Sequence, residues 1–149
     1  MNKAFLKEPE QAGGVCPRCG SAGIAVAAET LAAFVRADRL PDIAKPAYFC
    51  GFQRCEAVYF DDFERVITVD EIVRSVWPKD PAAPICGCFG FAAADVETDV
   101  ATGGVAATRA AVARSKSAEA RCLTQAADGR SCAAEIQRLY FKLKSGDAR

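Results

Sequence analysis

At 149 residues, with 51% apolar and 26% charged residues, the chain has the size and composition of one ordinary domain or two small ones, and not of a disordered segment. Nineteen Lys and Arg balance nineteen Asp and Glu, which argues against a nucleic-acid binder, because duplex binding begins with concentrated positive charge. The chain has eight Cys and no His, so Ser-His-Asp or Cys-His catalysis and HExxH zinc chemistry are excluded, and with them the familiar hydrolases.

The opening stretch Met1 to Glu8 contains no apolar run of the roughly 7–15 residues that a signal peptide needs. No segment approaches the ~18 apolar residues of a membrane span. The expectation is a cytoplasmic protein without nucleic-acid or membrane partners. In a reducing compartment eight thiols point to metal ligation rather than to disulfides. The opposing reading, a secreted four-disulfide scaffold, requires an export signal.

Along the chain the first feature is Cys16-Pro-Arg-Cys19-Gly20, a C-x2-C turn whose spacing lets both sulfurs face one metal. Gly20 is read as permitting close backbone approach. Glu29 to Leu40 places Leu31, Phe34 and Val35 at helical spacing. Next come the β-prone segments Tyr48-Phe49 and Val58-Tyr59-Phe60, which flank Cys50 and Cys55 and predict a hairpin that presents this second pair. Thr68-Val-Asp-Glu71 is a capping-box pattern, predicting a short helix through Ile72 and Val76. Phe34, Phe49, Tyr59, Phe60 and Trp77 are read as core, because no basic patch lies among them to make a base-stacking platform.

The Pro-rich stretch 78–84 divides the chain, since three prolines in seven residues continue neither a helix nor a central strand. The resulting organisation is α+β, with one module at 15–78 and another at 84–144. The second module opens with Cys86-Gly-Cys88, a spacing tighter than a zinc knuckle. Its remaining thiols, Cys122 and Cys132, are separated by nine residues. Gly87 and Gly90 are candidates for close approach with N–H donors to the sulfurs, and Phe89 and Phe91 either shield the site or fill the core. Three helices are expected: one from Ala92 that ends near Gly103-Gly104, one from Val105 to Ala113, and one from Cys132 to Leu143. In the last, Ile136, Leu139, Tyr140 and Leu143 share a face, and Gly146 is a plausible terminator. Cys88 and Cys132 would sit near helix starts, where amide N–H groups favour thiolates.

Eight thiols thus form two sets of four, and four thiolates satisfy either a tetrahedral Zn²⁺ or a [2Fe–2S] cluster. For the first set zinc is favoured by geometry and ligand type. For the second, a cluster is preferred to zinc because two adjacent irons give neighbouring thiolates more options, although neither common ferredoxin spacing is matched.

The segments Cys16-Pro-Arg-Cys-Gly20, Tyr48-Phe-Cys-Gly-Phe-Gln-Arg-Cys55 with Val58-Tyr-Phe60, and Ile85-Cys-Gly-Cys-Phe-Gly-Phe91 with Asp95-Val96 resemble the N-terminal domain of the archaeal-type CopZ copper chaperones. The resemblance spans about residues 15–143. It implies a mononuclear zinc on Cys16, Cys19, Cys50 and Cys55. It also implies a [2Fe–2S] cluster on Cys86, Cys88, Cys122 and Cys132, in a small helical fold similar to bacterioferritin-associated ferredoxin. The family's full-length chaperones add a copper-binding domain with an M-x-C-x-x-C loop. This sequence stops at Arg149 without one, and its single Met is Met1, so copper delivery by it alone is not expected. The expected function is one-electron transfer linked to copper or metal handling, with a redox or metal-handling protein as partner. The alternatives are an accessory that passes a soft metal to a partner, and a double-zinc interaction module.

Overall fold

The computed structural model describes residues 14–145. The Met1–Glu8 stretch and Gly146 lie outside the described residues. The first half is organised by a four-stranded antiparallel sheet in the order β1 (Ile24–Val26), β2 (Ala47–Phe49), β3 (Ala57–Asp61), β4 (Val66–Thr68). The expected hairpin is its centre, with Tyr48 opposite Phe60 and Phe49 opposite Tyr59.

Side chains alternate across a strand, and here both faces of β3 are covered. Phe49 and Tyr59 join Leu31, Phe34 and Ile67 in one core. Tyr48 and Phe60 join Cys16, Cys50 and Cys55 in another, their rings 5.3 Å apart. Helix α1 (Ala28–Phe34) covers the first face, burying Leu31 and Phe34. The helix is shorter than the Glu29–Leu40 reading. At Val35 the backbone turns extended and pairs with Ile72, leaving residues 40–42 as a separate 3₁₀ turn. That same bridge truncates the second expected helix. The Thr68 N–H donates to Glu71 Oε1 at 3.0 Å as a capping box should. Yet only a 3₁₀ turn over Val69–Glu71 forms, because Ile72 is extended against Val35. A β-branched residue loses little by leaving a helix for a sheet contact.

After the Pro-rich stretch, β5 (Pro84–Cys86) and β6 (Phe91–Ala92) make a small hairpin. Four helices follow: α2 (Ala93–Thr102), α3 (Ala106–Ser115), α4 (Cys122–Gln125) and α5 (Ala133–Lys144). The helices expected from Ala92, Val105 and Cys132 are α2, α3 and α5. The α3 start is capped from a distance, the buried Asp99 carboxylate accepting from the Thr108 N–H at 2.7 Å. Ile136 and Tyr140 of α5 are buried with Val96 and Ala111, and Leu139 and Leu143 pack against them. This core begins at Ile85 and Cys86, so the first cysteine of the C-x-C turn is itself a core residue.

Candidate metal centre

Cys16, Cys19, Cys50 and Cys55 converge, with all four sulfurs within 4.8 Å of one another. Two structural devices bring them there. The Cys16 turn closes through Cys16 N–H to Ser21 O and Gly20 N–H to Cys16 O, both 2.9 Å. Gly20 has φ +80° with open space where a Cβ would be, so it supplies a left-handed conformation rather than the close approach expected of it. The second pair hangs from the sheet. The Cys50 N–H donates to Val58 O at 2.8 Å, continuing the β2–β3 ladder, and the Cys55 N–H donates to Phe52 O at 3.1 Å. Arg18 and Glu56 form an ion pair between the two turns.

The spacing fits one small tetrahedral ion. Bonds of about 2.3 Å to zinc separate sulfurs by roughly 3.8 Å, and here Cys16 and Cys55 are 3.9 Å apart and Cys19 and Cys50 3.6 Å. The surroundings supply donors to sulfur: the Ala57 N–H reaches Cys55 Sγ at 3.4 Å and Lys79 Nζ reaches Cys50 Sγ at 3.5 Å. In the metal-free protein the thiols are unequal. Burial pushes Cys50 up to about 12, against the Phe52 N–H and the Lys79 charge, which pull it down. Burial also raises Cys55. Burial opposes ionisation of Cys19 as well, but the Ser21 hydroxyl and N–H, with the Cys50 and Cys55 thiols, bring it down to about 6.

The second quartet is arranged differently. Cys86 and Cys132 are buried and Cys88 and Cys122 half-buried; Cys122 feels both Cys88 and Cys86, and Cys132 feels both Cys86 and Cys122. The four do not draw together as the first set does: among the described residues only the first quartet has its four sulfurs all within 4.8 Å of one another. Burial, then the Cys86 thiol, pushes Cys132 up to about 12. Burial, then Cys88, raises Cys122. Two backbone donors reach these sulfurs. The Arg121 N–H donates to Cys88 Sγ at 3.0 Å, and the Cys132 N–H acts on the Cys122 sulfur and its own.

Cys132 stands at the N-cap of α5, as expected, and Cys122 is the first residue of α4. Cys88 is not at a helix start. The chain after it must return as β6 to pair with β5, and α2 begins only at Ala93. Gly87 is a close-approach residue, but its neighbour is the backbone of Gln125, whose carbonyl would lie 2.1 Å from a Cβ there. Gly90 has φ +71° and open space, so it serves conformation and not contact. Phe91 is buried in the core, and Phe89 is partly buried under the Arg114 guanidinium, 5.1 Å from its ring. All eight cysteines are free thiols.

Sequence reasoning missed Lys79, placed in the Pro-rich stretch as a linker residue, and Asp61. The Asp61 carboxylate accepts from the N–H groups of Ala44, Phe63 and Arg65 and from Arg65 Nε, at 2.8–3.0 Å. The local signal for Asp61 was its place at a strand end before a turn. Nothing local marked Lys79.

Compared with known families, residues 13–73 match the zinc binding domain zf_CopZ. That stretch is similar to a CopZ-type zinc-binding domain. The matched stretch contains the whole first quartet and stops before the second. Among solved structures, the chain is similar to the X-ray structure of the CopZ N-terminal domain from Archaeoglobus fulgidus. The two share 25% identity and a TM-score of 0.71 over 85% of this chain and 97% of that one. The similarity therefore continues past the zinc-binding stretch into the helical half. No curated protein matches the chain by sequence. No helix among the described residues is long and apolar enough to cross a membrane.

Proposed function

We propose that the chain is a metal-handling redox protein with two resident centres. Zinc is held by Cys16, Cys19, Cys50 and Cys55, and a [2Fe–2S] cluster by Cys86, Cys88, Cys122 and Cys132, in a helical module like that of bacterioferritin-associated ferredoxin. The observation that carries the second assignment is that Cys86, Cys88, Cys122 and Cys132 are four free thiols on two segments in direct contact, forming a looser set than the first quartet. A two-iron cluster spreads four thiolates over two irons, whereas a single tetrahedral ion gathers them at one point. The likeness to the CopZ N-terminal domain extends over this half as well.

Once bound, the cluster supplies a reversible one-electron step. The chain's own residues set its conditions. Cys86 and Cys132 face the core, with Phe91, Val96 and Ile136 keeping water from that side. The half-buried Cys88 and Cys122 form the accessible edge. The Arg121 N–H at Cys88 and the Cys132 N–H at Cys122 offset the negative charge of the thiolates. The zinc is a staple for the small sheet. The partner is a redox or metal-handling protein that meets the Cys88–Cys122 edge, and the likeness to a CopZ domain supports copper as the metal concerned.

The test is the visible spectrum of anaerobically purified protein, with zinc, iron and sulfide measured on the same sample. A red-brown protein with about one zinc, two irons and two sulfides, bleached by reductant, is the expected result. A colourless protein with two zincs that also resists iron–sulfide reconstitution would replace this reading with a double-zinc interaction module.

A further inference from the structure

The nine residues between Cys122 and Cys132 are what set this thiol quartet apart in the sequence, and they lie against the zinc-binding half. Four hydrogen bonds cross to them, all donated by that half. Thr30 Oγ1 donates to Leu123 O at 2.5 Å, and the Tyr59 hydroxyl to Ala127 O at 2.6 Å. Arg74 Nη2 donates to Thr124 O at 2.8 Å and Nη1 to Gln125 Oε1 at 3.2 Å.

The donors are rigid. Thr30 and Tyr59 are both fully buried, and Tyr59 is in the central strand β3. The Arg74 guanidinium is stacked 4.3 Å from the Phe34 ring centroid. Ala127 also packs on the first-half core. On its other side the loop meets the C-x-C turn, where Gly87 leaves no room between itself and the Gln125 carbonyl. A loop rich in small polar residues, held only at its two cysteines, would sample many conformations at an entropic cost to any site that it completes.

We propose that the zinc-binding half is the template on which the second thiol set is assembled, with Thr30, Tyr59 and Arg74 as positioning residues for Cys122 and Cys132. This rests on the reading of the second quartet as a metal-cluster site, and it adds an order of loading: the zinc-stapled sheet forms first and presents the loop. The sheet in turn depends on the first quartet, because Cys50 and Cys55 belong to the core beneath β2 and β3. Loss of zinc therefore reaches the second site through β3 and Tyr59, with no bond between the two sets of ligands.

The experiment uses the full chain with zinc bound and the second site empty. Hydrogen exchange is followed amide by amide, and alkylation of Cys122 and Cys132 by iodoacetamide is followed by mass spectrometry. Tyr59→Phe and Thr30→Val each remove one donor at nearly constant shape. Each is expected to speed exchange over residues 122–132 and alkylation of both thiols by about fivefold, the scale of one lost hydrogen bond. Amides of α5 and β3 should be unmoved and zinc content unchanged. Thr30→Ser, which keeps the donor, should restore the slow rate. Should either variant lose zinc or its far-ultraviolet dichroism, the exposed Arg74→Met supplies the same comparison. Rates over 122–132 equal to those of the unaltered chain, or a rise spread evenly over the molecule, would overturn the proposal. Because neither readout needs a cluster, a colourless protein with these shifts would remove only the cluster reading. A protein that binds the cluster without the shifts would remove only the template.

Discussion

Lys79 Nζ lies 3.5 Å from Cys50 Sγ and at the same time donates to Phe52 O at 2.7 Å and Cys55 O at 3.0 Å. Three ammonium protons thus serve one turn of the zinc-binding half, from a residue that follows Pro78 in the Pro-rich stretch. Four thiolates around Zn²⁺ leave a net charge of about −2, and a lysine at the buried Cys50 offsets part of it while fixing the orientation of the 50–55 turn. Partners of metal ligands commonly change affinity by about 10–100-fold. Lys79→Met is therefore expected to transfer zinc to a chromophoric chelator about tenfold faster, with the far-ultraviolet spectrum of the zinc-loaded protein unchanged. An unaltered rate would show that Lys79 only ties down the Pro-rich stretch.

The unequal thiols of the first quartet predict an order of reaction in the zinc-free protein. Thiolate, not thiol, is the nucleophile. With its pKa brought down to about 6, Cys19 is largely ionised at pH 7, whereas Cys50, pushed up to about 12, stays protonated. Cys19 is also the most accessible of the four. Iodoacetamide should label Cys19 before Cys50 and Cys55, and the Cys19 rate should fall as the pH drops through 6. Peptide mapping of a time course checks this. Zinc should abolish the preference by occupying all four sulfurs.

The first cysteine quartet, which converges in the structure, was legible because ligand spacing is a local property of the chain. So were α2, α3 and α5, whose apolar positions follow a single helical face. The Glu29–Leu40 helix and the helix after Thr68 were misread for one shared reason. Val35 and Ile72 are 37 positions apart in sequence, and their pairing, which ends both helices, is not a local signal. Cys88 was misplaced in a similar way: only the β5–β6 pairing shows that the chain turns back before α2 starts. The nine-residue gap before Cys132 carries no local signal of its role, and its meaning appears only when Thr30, Tyr59 and Arg74 are seen against it.

Asp61 predicts an acid limb to stability. Burial of its carboxylate works against ionisation, but the N–H groups of Ala44, Arg65 and Phe63 and the Arg65 guanidinium hold its pKa below the ordinary value. A folded pKa below the unfolded one contributes stability at pH above the unfolded value near 3.9, and that contribution is lost as the pH falls through the folded value. Asp128 works the other way. Its burial raises its pKa despite the Arg130 N–H and charge, so its contribution favours folding at low pH and fades as the pH rises. Asp61→Asn should cost about 2–4 kcal/mol at pH 7, since four donors lose a charged acceptor. It should also flatten the stability loss below pH ~4 seen in the unaltered chain. Urea titrations of both proteins at several pH values decide it, and parallel curves would exclude Asp61 as the acid-sensitive group.

Gly87→Ala tests the contact between the two segments that carry the second quartet. A Cβ at position 87 would lie 2.1 Å from Gln125 O, and that oxygen belongs to backbone, which cannot rotate away as a side-chain end would. Either the Cys86–Cys88 turn or α4 must move. The turn is anchored by Cys86 in the core, and α4 by Thr30 and Arg74, so the strain is shared between the Cys88 and Cys122 pair and the 122–130 loop. Overpacking of this kind costs about 1–3 kcal/mol. The expected outcome is a lower urea midpoint, a zinc content still near one, and a fall in the iron retained after anaerobic reconstitution. The Arg121 N–H to Cys88 Sγ bond, 3.0 Å in the unaltered chain, is the contact first strained by such a shift. Full iron retention together with the lower midpoint would mean that the helical half absorbs the displacement away from its thiols, and that the close approach at Gly87 serves packing alone.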